Sequence, residues 1–119
     1  MSATGRKKTY RTTQRKGAHM VKHIILWKLK DGYSKEQMKH IKLEIKENLE
    51  GLKGKIPGLI DIKVITEGLA GSNADLMLDA SFDNEEALKL YAVHPAHVTV
   101  ADGKVRPYTA ERNCMDFEL

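Results

Sequence analysis

The stretch Val21-Lys22-His23-Ile24-Ile25-Leu26-Trp27-Lys28-Leu29 constrains this chain more than any other, because it is rich in β-branched and aromatic residues and apolar at both parities of a strand. His23, Ile25, Trp27 and Leu29 share one face, Ile24 and Leu26 the other. Such a strand belongs in the middle of a sheet that is covered on both sides. With 119 residues the chain can build one core and has no room for a second. Whatever covers the two faces therefore comes from a few helices or from another molecule.

Ser34, followed at the third position by Gln37, is a capping-box pattern, and Met38, Ile41, Ile45, Leu49 and Leu52 then recur at spacings of three and four. This predicts an amphipathic helix ending near Gly51 or Gly54, with lysines and glutamates as a solvated face of i,i+4 pairs. Pro57-Gly58 breaks the chain before a second strand over 59–66, in which Ile60, Ile62 and Val64 alternate with Asp61 and Lys63. A Gly-rich connection over 68–73 lacks the lysine and the spacing of a phosphate loop. It leads to a third strand over 75–82 with Leu76, Leu78, Ala80 and Phe82 on one face. Asp83 and Glu86 repeat the capping pattern before a second helix carrying Ala87, Leu88, Leu90, Tyr91 and Val93. Pro95 closes that helix or starts a short continuation over 97–101, Asp102-Gly103 and Arg106-Pro107 break the chain, and 108–119 reads as a last strand.

The order β-α-β-β-α-β is that of an α+β, ferredoxin-like fold with both helices on one face of the sheet. The other face of the first three strands has too few polar positions to meet water, and no chain is left to cover it. A second copy, packed sheet to sheet about a two-fold axis, supplies the cover: a homodimer forming a dimeric α+β barrel is predicted.

The net charge of +4 points to nucleic acid until its position is considered. Residues 1–20 hold Arg6, Lys7, Lys8, Arg11, Arg15 and Lys16 and no acid, which leaves 14 basic against 16 acidic residues, a balance of −2, for the remainder. We therefore divide the chain into a basic, unfolded leader over 1–20 and one folded domain over 21–119. Gly17-Ala18-His19-Met20 reads as the junction of an appended expression leader with a start at Met20. Nucleic-acid contact is expected only through that leader. The longest apolar run, Ile24-Ile25-Leu26-Trp27, is far below the ~18 residues of a membrane span, so no membrane partner is expected. A single cysteine, Cys114, forms no internal disulfide and fits a reducing, cytoplasmic setting.

Histidines are the natural acid, base or ligand candidates. His40 falls on the solvated helix face. His94 and His97 lie three apart around Pro95, a spacing that brings two imidazoles to one side of a helical turn but leaves a metal without third and fourth ligands. His23 shares its face with Ile25 and Trp27; a histidine among apolar groups serves as a satisfied core residue or as a neutral acceptor in a pocket. Tyr91, six residues before His97, is within reach of it across a helix end. The expected pocket is lined by His23, Ile25, Trp27 and His94.

Val21-Lys22-His23 opening the first strand, Tyr91-Ala92-Val93-His94-Pro95-Ala96-His97-Val98 after the second helix and the closing Asp116-Phe117 resemble the stress-responsive dimeric A/B barrel (Dabb) family over 20–119. The resemblance implies a ferredoxin-like homodimer whose sheets form a barrel. Many members have no established activity, while one is a plant polyketide cyclase. Similarity to that enzyme implies His97 as general base, Tyr91 holding the substrate, Asp116 orienting His97, and His23 in the pocket. In that reading His97 removes an acidic C–H proton from a β-polyketo chain and Tyr91 polarises the carbonyl attacked in an aldol closure. Leu76 stands where the cyclase carries a pocket histidine, and Val98-Thr99-Val100-Ala101 replaces a glycine- and aromatic-containing stretch, which implies a different pocket wall. The same His-Pro-Ala-His element occurs in relatives without known catalysis, where Pro95 stops a helix and His97 is a strut on Asp116. Two readings follow from the resemblance: a small apolar pocket that binds a small organic molecule, and a proton-transfer enzyme of the cyclase or lyase type. Neither requires a cofactor or a metal.

Overall fold

The elements of the computed structural model, which describes residues 19–119, are β1 (Val21–Leu29), α1 (Lys35–Glu50), β2 (Leu59–Ile65), β3 (Leu76–Phe82), α2 (Glu85–Val93), α3 (Pro95–Val100) and β4 (Thr109–Glu118). The expected leader, apart from His19 and Met20, lies outside the described residues. One antiparallel sheet runs in the order β2-β3-β1-β4, so β1 is an inner strand, flanked by β3 and β4. This is the ferredoxin-like α+β arrangement that the order of periodicities predicts.

Each element has a local cause. Ser34 Oγ accepts from the Gln37 N–H at 3.1 Å while Gln37 Oε1 accepts from the Ser34 N–H at 2.8 Å, closing both ends of the capping box of α1. Ile41, Ile45 and Leu49 are buried along one stripe of that helix, and Leu52 and Ile56 extend the same core beyond it. Each such side chain contributes roughly 1.5–3 kcal/mol by leaving water. On the sheet, Val21, Ile25, Trp27 and Leu29 meet Leu76, Leu78, Ala80 and Phe82 in the same core.

Four expectations need correction. In β2 the register shifts between Leu59 and Asp61, so Leu59, Ile62 and Val64 are buried and Ile60 turns outward. The N-cap of α2 is Asn84, whose Oδ1 accepts from the Ala87 N–H at 2.8 Å, and not Asp83. Leu90 and Val93 of that helix are exposed, leaving Ala87, Leu88 and Tyr91 as its buried stripe. Asp102-Gly103 does not break the chain: the backbone stays helical as a wide π turn over Ala101–Val105 and a tight 3-10 turn over Arg106–Tyr108. Buried Ala101 and Val105 hold the π turn against the rest of the molecule.

The outward face of the sheet has no cover within the described residues. Ile24 is half-buried there, and Leu26, Ile65, Met115 and Phe117 are exposed, with the Lys22–Asp79 ion pair at 2.7 Å among them.

Candidate functional site

The cross-strand register of β1 and β4 sets His23 opposite Asp116, Ile25 opposite Cys114 and Trp27 opposite Arg112. Residues directly opposite on paired strands share a face, so Arg112, Cys114 and Asp116 join the inward side of β1. Residues of α2, α3 and the π turn also line the cavity over this part of the sheet. Between the two layers lies a cavity of about 720 Å³, lined among others by His23, Ile25, Trp27, Tyr91, His97 and Asp116. That volume is in the range of small-molecule sites.

His23 is buried, and its Nδ1 lies 2.5 Å from Asp116 Oδ1. A carboxylate only accepts, so Nδ1 carries the hydrogen of this bond. Cys114 Sγ sits 3.4 Å from the same carboxylate oxygen and 3.7 Å from His23 Nδ1. Burial pushes the Cys114 thiol up, and hydrogen bonding and charge from Asp116 push it further, while Arg112 opposes them.

Tyr91 is 1% exposed, packs edge-on against Phe82 at 4.9 Å and lies 6.1 Å from the His23 ring. Its hydroxyl is buried and has no hydrogen-bond partner among the described residues. Burial drives its ionisation far above the ordinary range, so the phenol is a neutral donor. His97 lies over the Tyr91 ring at a centroid distance of 4.2 Å, and its Nδ1 faces the Ala92 carbonyl oxygen at 3.3 Å. That oxygen accepts from Nδ1–H, which leaves the Nε2 lone pair available. Burial lowers the His97 pKa, the Ala92 bond works against it, and the charges of Arg106, His23 and Arg112 lower it again. The result is a neutral imidazole with one basic nitrogen beside a neutral phenol, suited to accept a proton and donate a hydrogen bond respectively.

The sequence model of the stress responsive A/B barrel domain matches residues 21–119. The chain belongs to the Dabb family. A dimeric protein of unknown function with a ferredoxin-like fold from Bacteroides fragilis is 35% identical, with a TM-score of 0.77 over 84% of this chain and 96% of that one. A dimeric ferredoxin-like protein of unknown function from Thermobifida fusca is 24% identical, with a TM-score of 0.70 over 92% of this chain and all (100%) of that one. The hydroxynitrile lyase of Passiflora edulis shares the fold at 15% identity and a TM-score of 0.65, covering 86% of this chain and 94% of that one. No curated protein matches the chain.

In this Dabb chain the structure brings His23, Ile25, Trp27, Tyr91, His97 and Asp116 to one cavity, gives Asp116 a different partner from the one expected and leaves His94 outside. Asp116 hydrogen-bonds His23 and not His97, because the β1–β4 register sets those two residues face to face while His97 is held by its own helix end. His94 is not among the cavity-lining residues: its Nδ1 accepts from the Ala96 N–H at 3.1 Å and caps α3, with Pro95 at the first turn. Leu76 is core rather than cavity wall. Sequence reasoning missed Arg112 and Cys114 as cavity residues. The signal was present in the alternation of the last strand, where 112, 114 and 116 share a parity.

Proposed function

We propose that this Dabb chain forms a homodimeric α+β barrel and binds a small organic molecule in the cavity between β1, β4 and α2. The observation that carries the reading is a cavity of about 720 Å³ lined by His97, the His23–Asp116 pair and Tyr91, with Ile25 and Trp27 as apolar wall and Arg106 and Arg112 as charged wall. An unpaired buried hydroxyl costs about 1–3 kcal/mol, which a ligand carbonyl or hydroxyl oxygen reaching Tyr91 would recover. The dimer is supported by the uncovered apolar side of the sheet and by the dimeric Bacteroides fragilis relative. A native mass spectrum of the chain is expected to show a dimer carrying a reproducible extra mass, or accepting one when incubated with small aromatic or β-dicarbonyl compounds. A dimer that stays empty with every such compound would reject the ligand reading, and a monomer would reject the barrel.

A second reading rests on the His97 tautomer. With Nδ1–H committed to Ala92, Nε2 is a base of lowered affinity for the proton, beside a phenol that can polarise a carbonyl. In this reading His97 Nε2 takes a C–H proton next to a carbonyl, Tyr91 hydrogen-bonds the developing enolate oxygen, and Asp116 holds the imidazole of His23 in the pocket. That the fold also carries the Passiflora edulis hydroxynitrile lyase makes acid–base chemistry compatible with it. His97→Ala is expected to abolish proton exchange at the activated carbon of a bound ketone, followed by deuterium incorporation, while leaving the melting temperature nearly unchanged. A variant that melts earlier with exchange intact would assign His97 to the fold alone.

A further inference from the structure

We propose that His23, Cys114 and Asp116 form a binding site for a divalent transition-metal ion of the zinc class at the β1–β4 side of the cavity. The site follows from strand geometry: His23 and Asp116 are a directly opposed cross-strand pair, and Cys114 is two residues from Asp116 on the same face of β4. Nδ1, Sγ and Oδ1 all lie within 4.8 Å of one another. A tetrahedral zinc ion with bonds of about 2.0–2.3 Å sets its donors roughly 3.3–3.7 Å apart. The two sulfur edges, 3.7 Å to His23 Nδ1 and 3.4 Å to Asp116 Oδ1, already match. The third edge, 2.5 Å, is held short by a hydrogen bond. It would open by about 1 Å when an ion replaces the bridging proton.

The donor set favours this class of ion. One imidazole nitrogen, one thiolate and one carboxylate suit zinc and its neighbours, whereas magnesium and calcium take oxygen donors. Protons balance as follows: the Cys114 thiol proton leaves to solvent, the His23 hydrogen moves through solvent from Nδ1 to Nε2, and the thiolate and carboxylate together match the two positive charges. Three protein ligands leave a fourth position, and because all three residues line the cavity that position opens to it. Paired strands hold the donors on a rigid frame.

The test is a titration of the reduced full chain with Co2+ as spectroscopic probe, followed by competition with Zn2+. One ion per chain is expected, with a thiolate-to-cobalt charge-transfer band that Zn2+ removes. Cys114→Ser is expected to lack the band, and Asp116→Asn to bind at least about tenfold more weakly. Both residues are exposed on an edge strand, so the variants are expected to fold, and thermal melts check that. Zn2+ is also expected to protect Cys114 of the unaltered chain from alkylation, a readout that needs no variant. No binding, binding without the band, or equal affinity in Cys114→Ser would overturn the proposal and leave the three residues a hydrogen-bonded strut.

Discussion

At the scale of single residues, protonation at His97 is set by burial more than by any partner. Burial lowers its pKa, the Ala92 carbonyl bond raises it, and Arg106, His23 and Arg112 lower it further. In the unfolded chain the imidazole titrates near its ordinary value of about 6.5. A depressed histidine contributes stability that is complete above that value and is lost as pH falls from it through the folded-state value, because the unfolded chain takes up the proton first. His97→Gln is therefore expected to flatten the fall in unfolding stability between about pH 7.5 and 5.5, measured by urea denaturation. Equal slopes in the two proteins would show that His97 titrates alike in folded and unfolded chains. His97 and Tyr91 were legible as a pair from their six-residue spacing and the Pro95 stop. The partner of Asp116 was not, since hydrogen-bond choice between two histidines depends on strand register, which no spacing within one segment encodes.

At the scale of elements, the join between β2 and α2 rests on Gly58. Its φ is +87°, and a Cβ there would lie 2.5 Å from the Cβ of Ala87 in the first turn of α2. Gly32 has a comparable φ of +97° with nothing within 4 Å of the added carbon. Gly32→Ala thus measures the backbone strain alone, and Gly58→Ala adds the clash. The second is expected to be more destabilising by about 1–3 kcal/mol in chemical denaturation, the range of overpacking a close contact. Equal losses would mean that α2 shifts away freely. The Pro57-Gly58 turn was visible in the sequence, but the helix lying on it was not. The same holds for the β2 bulge, which turns Ile60 outward against its alternation, and for the helical path through Asp102-Gly103, where buried Ala101 and Val105 outweigh a local breaking signal.

At the scale of the whole molecule, the described residues cover the sheet on one side only. Leu26, Met115 and Phe117 are 41%, 69% and 44% exposed on the face away from the helices, a patch that a lone chain in water rarely leaves open. Leu26→Glu is expected to convert the proposed dimer to monomer in sedimentation velocity while keeping the secondary structure, because Leu26 is outside the core of the single chain. A variant that remains dimeric would place the interface elsewhere. Membrane insertion offers no alternative cover by a spanning helix, since no described helix is long and apolar enough to cross a bilayer.

Alternation and helical spacing by themselves determined the four strands, the two main helices and their order, the buried stripe of α1, the central place of β1 and hence the ferredoxin-like fold, because these patterns are local and each segment carries its own. Only the tertiary structure decided that Asp116 meets His23, that His94 caps a helix outside the cavity, and that Cys114 and Arg112 enter it. Those outcomes turn on the register between strands about 90 residues apart in the chain and on which helix end closes over them. Both are settled by the sum of packing contacts across the core rather than by any one segment.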